Sequence, residues 1–409
     1  MSGGWKRHRV ADTFFGVTVP EKPPAPLRAN LRSEWMLDER VAFLNHGSFG
    51  ALPRCVFDEQ TEWRRRIEAE PVEILSRRRE ELIDSVNQQL GEWLGMKAAD
   101  IGLVTNATEG INAILRSLDL SAGDEWVTTN HVYHAIRQAM KYTAGRAGAV
   151  YREIEIPLPV QSSEQVARLV LNGLSARTRL LVIDHITSPT ALIFPVEQII
   201  AGCAGRGVDV LVDGAHAPGM VPLDVERLGA AYYAGNLHKW TCAPRGSAFI
   251  WARPDRRERI HPLVISHYLG EGFAREFGWQ GTRDLSAWLA IPRALRFMSE
   301  LGWEAVMSHN HAMALWMNPM LCERWGVDSI SPADGSMLGS MASVRAPRSC
   351  SRLATQELMV FQQRLYTEHG VEAPMMRWGD DVLLRPCCQV YNTPEDYERL
   401  ARAMMQLRT

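Results

Sequence analysis

An acid at the end of one apolar run and a lysine just past the next are the residues most able to do chemistry in this chain. Val208 to Val212 is a mostly β-branched, apolar run that closes on Asp213. A Gly-Ala-His turn, a short helical phrase and a second apolar run, Ala230 to Ala234, lead to Asn236-Leu237-His238-Lys239-Trp240. A carboxylate can hold the proton of a pyridinium nitrogen, and an amine can form a Schiff base with an aldehyde. Those are the two groups a pyridoxal phosphate (PLP) enzyme needs. Asp213 also has a plainer use, as a strand-end acid that caps the turn after it.

The elements that must position these two residues follow from the apolar pattern. Ile101 to Thr105 reads as a strand, followed by Asn106-Ala107-Thr108-Glu109-Gly110 and a helix with Ile111, Ile114, Leu115 and Leu118 at helical spacing. A polar turn at a helix N-terminus is suited to a phosphate, and equally to an ordinary N-cap. Glu125 to Thr129 leads into Asn130-His131-Val132-Tyr133-His134-Ala135, and Leu180 to Asp184 into His185-Ile186-Thr187-Ser188-Pro189-Thr190. A helix over 195–204 and a strand over 246–251 complete the alternation. Such βαβα order predicts an α/β fold with a mostly parallel sheet sandwiched by helices. All the polar clusters then converge at one edge, where open α/β sheets bind ligands.

The rest of the chain frames that sheet. Residues 1–35 contain Pro20, Pro23, Pro24 and Pro26 and read as an extended arm. Phe43 to Gly50 is strand-like and then broken by glycines; it is either a plain turn or a pocket-lining loop with Asn45 and His46 pointing inward. Residues 56–94 predict two helices, whose arginines are interleaved with acids as on a solvated, ion-paired face. Residues 260–283 read as a loop and 284–300 as a helix. From about 301, helices alternate with strands at Met341–Val344 and Asp381–Leu384, as in a smaller α+β domain. The expected division is an arm over 1–35, a large domain over 36–300 and a small one over 301–409.

Composition narrows the function classes. The chain has 409 residues, 46% apolar and 22% charged, with a formal net charge of −2. Neither nucleic acid nor an anionic membrane is favoured by that balance. No stretch approaches the roughly 18 apolar residues of a membrane-spanning helix, and no apolar segment follows the basic N-terminus as in a signal peptide. The seven cysteines are scattered, without a C-x-x-C. Reduced thiols in the cytoplasm are expected, and no metal site. His309 and His311, two apart on a predicted helix, point to different faces.

FLNHGSFG, TNATEGIN, VDGAHAPG, NLHKW, WQGTRD and YNTPEDYERL stand in that order between about residues 40 and 405. In them the sequence resembles the class V aminotransferase-like group of fold type I PLP enzymes, and most of all its isopenicillin N epimerase-like branch, which is also similar to cysteine desulfurases and C–S lyases. The resemblance implies roles. Lys239 would carry PLP and act as the base at Cα, with Asp213 on the pyridine nitrogen. Ala107, Thr108 and nearby N–H groups would hold the phosphate, helped by His238 and Asn236. Asn236 stands where relatives often carry a hydroxyl residue. Tyr133 would stack on the ring, and Ser188 and His216 would lie near its phenolic oxygen. Thr282 matches a residue that reaches the neighbouring subunit's phosphate, which implies a homodimer with shared sites. Arg385 matches the arginine that grips the substrate α-carboxylate, and Asn45 and His46 would join it at the substrate.

The expected activity is PLP chemistry at Cα of an amino acid or small peptide. Epimerisation, as in secondary metabolism, stands first, ahead of β-elimination by a C–S lyase, transamination, and an inactive PLP-fold scaffold. A desulfurase needs a cysteine before the carboxylate-binding arginine. Glu372 to Leu384 contains none, and Cys350, Cys387 and Cys388 lie elsewhere. Epimerisation needs a second base, for which Tyr133, His46 and His216 are candidates.

Overall fold

The computed structural model describes residues 19–407, so the first 18 residues of the expected arm lie outside the described part. The remainder of the arm packs on its own chain. Trp35 is buried with its indole N–H donating to the Ala51 carbonyl at 3.2 Å, and its ring meets Phe297 and Tyr391 edge-on. Removing a side chain buried this way costs about 3–5 kcal/mol.

The N-terminal strands are β1 (Ala42–Phe43), β2 (Ile101–Val104), β3 (Glu125–Thr129), β4 (Val150–Ile154), β5 (Thr178–Asp184), β6 (Asp209–Asp213), β7 (Tyr232–Asn236) and β8 (Ala248–Ala252). Seven of them form one sheet in the order β2-β8-β7-β6-β5-β3-β4. The ladders from β7 to β4 are parallel, and β8 runs antiparallel to both neighbours. Strands β2, β3, β7 and β8 are buried throughout because helices cover both faces, and β2 and β8 are apolar runs accordingly.

The helices that bear on the site are α1 (His46–Phe49), α2 (Arg54–Ala69), α3 (Arg79–Leu94), α4 (Ala107–Ser117) and α5 (His134–Ala147). On α4 the predicted stripe of Ile111, Ile114 and Leu115 is buried. The arginines of α2 and α3 and the turn between them are ion-paired as expected: Arg66 with Glu62 at 3.1 Å, Arg77 with Glu73 at 3.1 Å and Arg78 with Glu81 at 3.2 Å. Exposed pairs of this kind add solubility more than stability.

A second core gathers Leu321, Phe361, Leu365, Val371, Leu384, Tyr397 and Leu400, and also Ala42 and Leu44 from far upstream. Its strands are β9 (Val344–Arg345), β10 (Val371–Glu372), β11 (Met375–Trp378) and β12 (Asp381–Leu384). β11, β12 and β9 form an antiparallel sheet, while β1 pairs in parallel with β10. Two sequence expectations differ here. The first tail strand is Val344–Arg345 rather than Met341–Val344, because Val344 and Arg345 are the residues that meet Leu384 and Leu383. The stretch 260–283 is not all loop: Phe273–Gly278 is helical. Phe273 and Phe277, one turn apart, meet with tilted rings 4.9 Å between centroids and bury against the sheet, and six residues are too few to announce this as a periodic pattern.

Candidate active site

The predicted polar turns meet in one cavity of about 470 Å³, a volume typical of small-molecule sites. Asp213 and Asp184 form its floor at the ends of β6 and β5. Thr105, Asn106, Ala107 and Thr108 supply one wall, and Asn236, His238 and Lys239 another. Tyr133, Ser188 and His216 complete it. Strand ends gather here because the ladders β5–β6 and β6–β7 are parallel and in register, so every turn after them opens on the same edge.

Lys239 follows β7 on a turn held by two close approaches. At Gly50, φ is +67°, and an added Cβ would strike the His238 carbonyl. At Gly219, φ is +88°, and a Cβ would lie 2.7 Å from the Trp240 carbonyl. Both positions therefore require glycine. The Lys239 Nζ lies 3.1 Å from His216 Nε2. Burial, then the charge of Arg385, brings its ammonium down to about 7, against the opposing pull of Asp213. His216 is buried and held neutral, first by burial and then by the Lys239 charge. Its Nδ1 accepts from the Trp240 indole N–H at 3.5 Å, leaving Nε2 as the protonated nitrogen and the donor toward a neutral Lys239 amine.

Asp213 is buried, and its Oδ1 accepts the Ala215 N–H at 3.0 Å. Burial raises its carboxyl, and the Lys239 charge opposes that. The phosphate wall is arranged differently from the expectation. The Ala107 N–H is taken by Asn236 Oδ1 at 2.8 Å, and Asn106 Oδ1 caps the Glu109 N–H at 2.8 Å. Asn236 thus ties β7 to the start of α4, while the Thr108 side of the turn faces the cavity. His238 is held neutral mainly by burial, with an ionisation near 4.

Arg385 is buried behind Ser188. Its Nη1 donates to the Ser188 carbonyl at 2.6 Å and to Ser188 Oγ at 3.0 Å, and its Nη2 to Ser48 Oγ at 3.2 Å. Ser48 in turn donates to Asn45 Oδ1 at 2.5 Å, and Asn45 Nδ2 donates to Glu372 Oε1 at 3.1 Å. Asn45 therefore steadies the Arg385 shell instead of lining the cavity. The expectation for His46 is corrected too. It is fully buried behind the Lys239 turn, with Nδ1 at 2.9 Å from the Tyr391 hydroxyl and Nε2 at 2.9 Å from the Lys239 carbonyl. With both ring nitrogens engaged, it has none for substrate. Tyr133 caps α5 and is 44% exposed at the cavity mouth. Thr282 is exposed and outside the cavity of its own chain. The cavity-lining residues that sequence reasoning missed include Asp184, Ser48, Phe49 and Arg245, of which Asp184 left a signal, as an acid ending an apolar run.

The residues present fit PLP. Asp184 Oδ2, His238 Nδ1 and Arg385 Nε are buried polar atoms without a protein partner. All three lie on or directly behind the cavity wall, where a polar ligand would satisfy them. The donor set is that of the cofactor: an amine, an acid for a ring nitrogen, and a helix start for a phosphate.

Comparison with known proteins agrees. The sequence matches the aminotransferase class-V family over residues 44–400. The chain belongs to the class V aminotransferase family. It is 34% identical to a putative L-cysteine desulfhydrase of Oryza sativa subsp. japonica, over 93% of this chain and 86% of that protein. It is 32% identical to the isopenicillin N epimerase of Amycolatopsis lactamdurans, over 93% of this chain and 98% of that one. The cystine C–S lyase C-DES, solved in complex with its product cysteine persulfide, is similar in fold, with a TM-score of 0.75 at 22% identity over 90% and 98% of the two chains. This class V chain is a PLP-dependent enzyme of fold type I. Among the described residues, no helix is long and apolar enough to cross a membrane.

Proposed function

We propose that this enzyme removes the Cα proton of an amino-acid substrate with Lys239 as its one base and completes the reaction by β-elimination, as a C–S lyase. The observation that carries this reading is the Lys239–His216 contact of 3.1 Å, in which a neutral amine is held over the Asp213 floor. PLP bound there supplies an electron sink for the negative charge that develops at Cα. Asp213 would hold the proton of the ring nitrogen, and Tyr133 would cover the ring face. Thr108, with the N-terminus of α4, and His238 hold the phosphate. Arg385, already clamped by Ser188 and Ser48, presents its free Nε edge to the substrate carboxylate. In this reading residues 36–300 form the cofactor-holding domain, and 301–409 the domain that brings Arg385.

Epimerisation, which the sequence put first, is the second reading. It needs a base opposite Lys239, and of its three candidates His46 is sealed behind the Lys239 turn and His216 bonds Lys239 itself. Tyr133 remains, and its half-exposed place at the mouth supports this reading. Elimination needs no such group. The test is incubation of the PLP-loaded protein with L-cysteine in D₂O. Equal yields of pyruvate, ammonia and sulfide support elimination; cysteine recovered as a deuterated racemate supports epimerisation instead. An unreacted, unexchanged substrate series would refute both and favour the scaffold.

The working form in this proposal is a homodimer in a reducing, cytoplasmic setting. Exposed apolar Leu263, Val264, Ile265 and Leu269 lie on the loop that leads to Thr282. A second copy covering them would bring its Thr282 to this chain's phosphate wall. The seven cysteines are all unpaired.

A further inference from the structure

Two carboxyls stand on the cavity floor, and the chemistry above uses one. Asp184 and Asp213 are direct partners in the parallel β5–β6 ladder, so their side chains leave the sheet on the same side, and both line the cavity. Asp184 is 2% exposed, and its Oδ2 has no protein partner. The groups that face it are few. Asp213 stands beside it, and the main-chain N–H groups of Tyr133 and of Asp184 itself point toward it. Arg137 lies farther off, already committed to Glu153 through bonds of 2.9 and 3.1 Å. Lys239 acts on both carboxyls, on Asp213 more than on Asp184. Two adjacent carboxylates in a water-poor site cannot both ionise. One proton must therefore stay on the pair. Two main-chain N–H groups reach Asp184 and one, Ala215 at 3.0 Å, reaches Asp213, but Asp213 is the carboxyl that pairs more strongly with Lys239, which gives it the better support for a charge. An ionised Asp184 would leave Oδ2 buried with bare lone pairs, whereas a protonated Oδ2 presents a donor to the cavity floor.

We propose that Asp184 is the protonated member of a two-carboxyl floor and a positioning residue: it keeps the shared proton off Asp213, so that Asp213 meets the ring nitrogen of PLP as a carboxylate. This rests on the reading of Asp213 as the ring-nitrogen partner. Burial raises both carboxyls, and the charge of Asp213 adds to the effect on Asp184. No bond is made or broken in this role; a single proton is held in place.

The test is the infrared carbonyl stretch of a protonated carboxyl, recorded at pH 7 on the full chain before and after PLP is bound. The wild type is expected to show one such band that D184N lacks and D213N keeps. Absence of the band in the wild type overturns the proposal, as does its persistence in D184N or its loss in D213N. The wild-type spectrum decides even where a variant fails to fold. PLP affinity gives the second readout: D184A should weaken binding at least tenfold, and D184N should restore it to within about threefold. A D184N variant as weak as D184A overturns the proposal, because the group would then be required as an anion. If instead D213N binds PLP with wild-type affinity and an unchanged visible spectrum, the reading of Asp213 fails, while the infrared assignment of the proton still stands.

Discussion

If Lys239 captures PLP as proposed, its ionisation sets how fast the chain does so, and this can be measured as a function of pH. Burial and the neighbouring Arg385 guanidinium bring its ammonium from 10.5 down to about 7. At pH 7 roughly half of the amine is then neutral, against about one part in three thousand for an ordinary lysine. Capture by the PLP-free protein should therefore be about a thousandfold faster at neutral pH than by a surface lysine. The assay is stopped-flow absorbance of the bound cofactor between pH 5.5 and 9.5. The logarithm of the rate should rise by about one per pH unit below neutrality and flatten above about pH 8. Arg385→Met removes the largest charge acting against the ammonium, so the bend should move to higher pH. A rate that climbs without a bend to pH 9.5, or a bend that ignores Arg385→Met, would refute this account of why Lys239 is a base.

Linkage gives a related expectation for stability. Because the folded value lies below the unfolded one, the unfolded chain binds the extra proton between about pH 7 and 10.5. The cost of burying this amine is thus complete below that window and relieved as pH rises through it. In urea unfolding of PLP-free protein, the advantage of Lys239→Met over wild type should shrink from pH 6.5 to 9; a pH-independent gap would count against it. Gly50→Ala should cost at least about 2 kcal/mol in the same assay and weaken PLP binding, because its left-handed backbone and the His238 carbonyl both exclude a Cβ. Asn236→Ala should cost about 1–3 kcal/mol by stripping the buried Ala107 N–H of its acceptor; an unchanged melting temperature would show that water replaces it. Arg385→Lys should raise KM by roughly tenfold to a hundredfold for loss of one charge-assisted bond, with the cofactor spectrum retained; an unchanged KM would remove Arg385 from the substrate.

Much of this was legible in the chain itself. The central sheet announced itself in apolar runs of strand length that ended in polar clusters, since strands covered on both faces are mostly apolar. Asp213 and Lys239 were visible as the charged residues at two such ends. The amphipathic stripe of α4 followed from helical spacing. These features are local: each is written in the side chains of a single segment and needs no partner to be recognised.

What the sequence could not reveal is which polar atoms find each other once the segments pack. His46 looks like a pocket residue until Tyr391 and the Lys239 carbonyl are found on its two nitrogens. The Ala107 N–H looks free for a phosphate until Asn236, from another strand, accepts it. Arg385 becomes a clamp only through Ser188 and Ser48, each far from it in the chain. Asp184 becomes half of a carboxyl pair only because the β5–β6 register sets it beside Asp213. The chain by itself determined the elements and the cofactor, and it marked Lys239 as the base of the proposed reaction. The tertiary structure decided the partners and the burial of each charged group, because burial and the distance between charges exist only after distant segments have packed together.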